Sequence, residues 1–145
     1  MHRRRNVLVI LLGLGFLFVI TLLGSSLETF LPHSPTAANQ VAEVGPYQIT
    51  LLVSPNPPHI TDPANLVIQI VKKNTRQLVT NATVVLENNM QAMDMGTERD
   101  QAKLQDDGSY LAHLPFTMSG RWQVRVLVTV LGAQMLNATF EVTAQ

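Results

Sequence analysis

The sequence contains no cysteine. That excludes a disulfide framework, a thiolate metal site and a lipid anchor carried on cysteine, so any fold must be held by packing alone. Charge is also scarce. Only 14% of residues are charged, and 10 Lys/Arg balance 10 Asp/Glu. From residue 44 onward the basic residues are 72, 73, 76, 99, 103, 121 and 125, and the acidic ones are 62, 87, 94, 98, 100, 106, 107 and 141. A near-neutral region without a basic stripe gives nucleic acid no electrostatic footing. Catalytic signatures are missing too: there is no Gly-x-Ser-x-Gly, no phosphate loop and no His-Glu-x-x-His. These absences argue against an enzyme and against a small-molecule substrate. The aspartates form no D-x-D-x-D-G loop with a closing Glu, so they read as turn formers, not calcium ligands.

The N-terminus supplies what the rest lacks, a long apolar run. After Met1-His2-Arg3-Arg4-Arg5-Asn6, residues 7–24 hold fourteen Val, Leu, Ile or Phe among eighteen. At roughly −0.3 to −0.6 kcal/mol each, these favour membrane insertion by about 4–8 kcal/mol. As a helix the run spans about 27 Å, close to the hydrocarbon thickness. Three arginines precede it and no Lys or Arg follows until Lys72. The expectation is a single-pass cell-membrane protein, with residues 1–6 a cytoplasmic basic tail, 7–24 a transmembrane anchor and the rest extracytoplasmic. A cleaved signal peptide is the rival reading, with Gly24-x-Ser26 as a weak cleavage site.

Residues 25–43 carry Ser, Thr, Pro, Asn and Ala without an apolar period and read as a flexible linker. From residue 44 to 145 the pattern is β throughout. Alternation predicts strands over 47–53, 65–72, 81–87, weakly 98–105, then 109–116, 121–131 and 135–142. Pro55, Pro57 and Pro58 interrupt any ladder after the first, and Asp106-Asp107-Gly108 is a strong turn signal. About seven short strands without a helical period imply an all-β, immunoglobulin-like two-sheet antiparallel sandwich.

Within that pattern four methionines crowd together. Met90, Met93 and Met95 lie in Asn89-Met90-Gln91-Ala92-Met93-Asp94-Met95-Gly96, and Met118 lies in Phe116-x-Met118-x-Gly120-x-Trp122. Methionine often fills gaps in a core. Here its neighbours are Asn88, Asn89, Gln91, Asp94 and Thr97, with Gly96 marking a turn. Thioethers are soft ligands and favour Cu(I) among biological metals. Met118 shares parity with Trp122 and Phe116, which points it inward at a strand end. His113 is offset by one, on the opposite face, and is a secondary candidate ligand. His59 sits in the proline-rich loop and is weaker. Asn81-Ala82-Thr83 and Asn137-Ala138-Thr139 match glycosylation sequons.

The motifs taken together resemble the YtkA-like family of small extracytoplasmic β-sandwich domains, akin in pattern to FixH-type proteins. The resemblance rests on Val53-Ser54-Pro55-Asn56-Pro57-Pro58, Asn65-Leu66-Val67-Ile68, Leu78-Val79-x-x-Ala82-x-Val84 and the pair Lys103-Leu104. It rests also on Met90-x-x-Met93-x-Met95, and on Gly108-x-Tyr110-x-Ala112 with Phe116-x-Met118-x-Gly120-x-Trp122. The family often carries Pro, Gly or His near these methionines, where this chain has Gln91-Ala92 and Asp94. The resemblance implies a link to copper homeostasis or to a copper-transport or oxidase-assembly partner. The alternative is a metal-free interaction module whose Met-rich edge contacts a membrane partner.

Overall fold

The computed structural model describes residues 36–93, 96–132 and 135–145. The anchor expected over residues 7–24 lies outside them. Nine strands follow in order: β1 Asn39–Val44, β2 Tyr47–Ser54, β3 Ala64–Lys72, β4 Ala82–Met90, β5 Glu98–Gln101, β6 Lys103–Leu104, β7 Tyr110–Leu114, β8 Gly120–Val130 and β9 Leu136–Ala144. They form two sheets, one ordered β1-β2-β3-β7-β6 and the other β5-β4-β8-β9. Every pairing is antiparallel.

The alternation that marks the strands is also what builds the core. Ile49, Leu51 and Val53 of β2 and Leu66, Ile68 and Ile70 of β3 are buried. From the second sheet come Val84 and Leu86 of β4, Val124, Val126 and Val128 of β8, and Phe140 and Val142 of β9. Each such side chain contributes about 1.5–3 kcal/mol by leaving water.

Two differences from the sequence reading have physical causes. Residues 39–43, placed in the linker, belong to β1, which pairs with β2 from Asn39↔Leu52 to Val44↔Tyr47. The weak strand expected over 98–105 is two strands in different sheets. β5 pairs with β4 and β6 pairs with β7. Between them Ala102 is buried, and its N–H donates to Val84 O at 2.9 Å. Nine strands therefore stand where about seven were expected.

Of the three crossovers between sheets, β3–β4 and β7–β8 are held by side chains. In the β3–β4 passage, Tyr110 Oη donates to Val79 O at 2.9 Å and accepts the Ala82 N–H at 3.1 Å. In the β7–β8 passage, Asn88 Nδ2 donates to Pro115 O at 2.7 Å.

The turn before β7 carries a titration consequence. Ser109 donates both its hydroxyl (2.6 Å) and its backbone N–H (2.9 Å) to Asp107 Oδ1. These bonds favour the carboxylate and hold Asp107 below its ordinary value of 3.8. A depressed folded pKa gives stability that is present above the unfolded value and lost as pH falls through the folded one. Wild type should therefore lose stability on acidification below pH 3.8 more steeply than Asp107→Asn. Urea midpoints followed through that range check it, and parallel profiles would refute it.

Candidate functional site

β4 runs three residues further than its apolar pattern indicates. Glu87, Asn88 and Asn89 pair with Arg125, Val124 and Gln123, and Met90 pairs with Trp122. Inward parity then gives Val84, Leu86, Asn88 and Met90. Met90 is accordingly a core residue, 8% exposed, although its polar neighbours make it look like part of a turn. Asn88 is fully buried at an inward position of the strand. The chain then leaves the sheet, and Met93, on the bend that follows, is 53% exposed. Met95 lies outside the described residues. Met118 sits in the β7–β8 crossover, not on a strand, and is 37% exposed.

The first three residues of β8 hold both methionine-bearing segments. Gly120 makes room for Met90: a Cβ added there would lie 2.9 Å from Met90 Cε. Arg121 O accepts the Gln91 N–H at 3.1 Å, which fixes the start of the 91–93 bend. Trp122 Nε1 donates to Met118 O at 3.0 Å, which fixes the crossover. Gln91 Nε2 also reaches Glu141 Oε1 on β9 at 3.1 Å. One strand end thus gathers Met90, Met93 and Met118 at the same corner of the sandwich.

Gly120 is also held at φ +139°, a conformation unfavourable for residues with a side chain. Gly120→Ala should therefore displace the Met90 methyl and destabilise the domain by about 1–3 kcal/mol. A urea midpoint unchanged from wild type would show that the corner is loosely packed.

His113 is placed differently. It is exposed on β7, with its side chain on the outer face of the five-stranded sheet, and its backbone N–H donates to Asp100 Oδ2 at 2.9 Å. Among the described residues, no three His, Asp or Glu side chains are grouped so as to hold a metal. Met90, Met93 and Met118, by contrast, lie on segments tied to the first residues of β8. A separate polar cavity of about 40 Å³ is lined by Glu87, Asn88, Asn89, Thr97, Gln123 and Arg125. Glu87 is already engaged there by Arg99 and Arg125.

Sequence reasoning marked the methionines but missed the residues that place them. Asn88 carried a usable signal, a polar side chain on an apolar face. Gly120 had none, because its role is set by a contact across strands.

The fold is similar to that of FetP from uropathogenic Escherichia coli strain F11, whose crystal structure was determined on protein expressed in the periplasm. The likeness has a TM-score of 0.58 at 9% identity and covers 77% of this chain and 97% of that one. At that identity it speaks for the fold alone. No curated protein matches the chain. The YtkA-like family pattern matches residues 41–127, which run from within β1 into β8 and include Met90, Met93 and Met118. The chain is a member of the YtkA-like family.

Proposed function

We propose that this chain is a membrane-anchored, extracytoplasmic module of immunoglobulin-like architecture that binds or delivers copper through methionine sulfurs. The observation that carries the reading is the hold of Gly120, Arg121 and Trp122 on both methionine-bearing segments. Met93 and Met118 are accessible to an incoming ion, and Met90 backs them from the core. Met95, two residues past Met93, is the fourth donor of the proposal. Thioethers select Cu(I), need no deprotonation and form no disulfides outside the cytoplasm. A site of such donors favours modest affinity and ready exchange, as delivery to a copper-transport or oxidase-assembly partner requires.

The test is a Cu(I) titration of the full chain in detergent against a chromophoric chelator. A Met93, Met95 and Met118→Leu variant, which keeps bulk and removes sulfur, is run beside it. Wild type is expected to bind stoichiometrically and the variant to lose that binding. Affinity should stay flat from about pH 8 to 5, because no ligand titrates there. A histidine-based site would weaken below about pH 6.5. His113→Ala should leave affinity unchanged, because its side chain leaves from the other sheet's outer face. Absence of binding in wild type would overturn the copper reading. The exposed Met93 and Met118 would then be a contact surface for a membrane partner, a role methionine also suits.

A further inference from the structure

We infer that Trp122 is the positioning residue of the thioether site, fixing Met118 through its indole N–H and flanking Met90 with its ring. The inference rests on the copper reading above and deepens it.

Trp122 is 3% exposed, and Phe116 meets its ring edge-on, with centroids 5.5 Å apart and planes at 89°. A ring held this way cannot turn without displacing Phe116. Its single donor is spent on Met118 O, at 3.0 Å. On the opposite side, Trp122 is the cross-strand partner of Met90, and both side chains point inward. Side chains so paired stand about 5 Å apart at Cβ, which makes them direct neighbours on the inner face. One indole therefore links a core methionine to a surface methionine.

The crossover that carries Met118 is only five residues long, 115–119. Asn88 pins its first carbonyl and Trp122 pins its fourth. Neither bond is needed to close the sheets, since β8 is already paired along both sides. What the two bonds do is hold the Met118 backbone in place before any ion arrives. Donors held in advance lose less freedom on binding.

Residues that orient metal ligands from behind typically affect affinity about 10–100-fold. Trp122→Phe keeps an aromatic ring and removes the N–H. In the full chain it should weaken Cu(I) binding by about 10–100-fold. In a Met118→Leu background the same change should have almost no effect, because the sulfur it positions is gone. Equal losses in both backgrounds would mean a general structural role and would overturn the inference. A second measurement needs no tryptophan variant. In 15N-labelled wild type, the indole N–H resonance should shift on adding Cu(I) or Ag(I), and should stay fixed in Met118→Leu. A stationary resonance in wild type that binds metal would overturn the inference while leaving the copper reading intact. No metal binding by wild type at all would overturn both.

Discussion

Replacing Trp122 by alanine is expected to destabilise the domain by about 3–5 kcal/mol. The side chain is the chain's only tryptophan, is almost fully buried and packs edge-to-face on Phe116. Truncation removes the largest apolar group of the methionine corner and leaves a cavity, and the pinned crossover limits how far neighbours can collapse into it. Domains of this size have about 5–15 kcal/mol in total, so the variant should sit near the threshold of folding. The melting temperature should fall by roughly 10–25 °C. A fall of only a few degrees would mean that the corner repacks freely, and the argument for a prearranged Met118 would fail with it.

Tyr110→Phe is expected to cost about 2–4 kcal/mol, far above an ordinary surface change. The hydroxyl is not a spare polar tip. It donates to Val79 O and accepts from the Ala82 N–H, and so spans the β3–β4 crossover from β7, the neighbour of β3 in its sheet. Phenylalanine preserves the ring and its burial but orphans two backbone groups at once. Each orphan costs about 1–3 kcal/mol, more than the net value of the bond itself. Denaturant unfolding would measure the loss as a lower midpoint with an unchanged slope. If the midpoint moved by less than about 0.5 kcal/mol-equivalent, water must reach both groups, and the crossover would not be sealed.

Most of the fold was legible because period-two alternation records which face of a strand is dry. Ile49, Leu51 and Val53 are a direct example, as are Trp122, Val124 and Val126. The pattern fails where its premise fails. β1 is an edge strand with no fully buried residue, so its sequence, Asn-Gln-Val-Ala-Glu-Val, shows little apolar contrast. The division between β5 and β6 leaves no mark, since the chain stays extended while changing partners at Ala102. At the candidate site the sequence reading found the right residue types but not their settings. Asn88 occupies an inward position that an apolar residue would usually take, so the pattern ends the strand at Glu87 and leaves Met90 in a turn-like segment, open between core and ligand. The roles of Gly120 and Trp122 depend on what lies opposite them, and periodicity within one strand does not record that.

β9 closes the border of its sheet with nine residues and a single charge, Glu141. Such a border invites a foreign strand to add to it. Here the residues ahead of and within β1 occupy it. Gln40 Nε2 donates to Glu141 O at 2.6 Å, and Thr36 Oγ1 accepts the Thr143 N–H at 3.2 Å. Those are backbone groups that an incoming strand would need for its own ladder. The amino-terminal arm thus serves as an internal guard against aggregation. Any truncation placed after Gln40 trades a shorter chain for an open, adhesive edge.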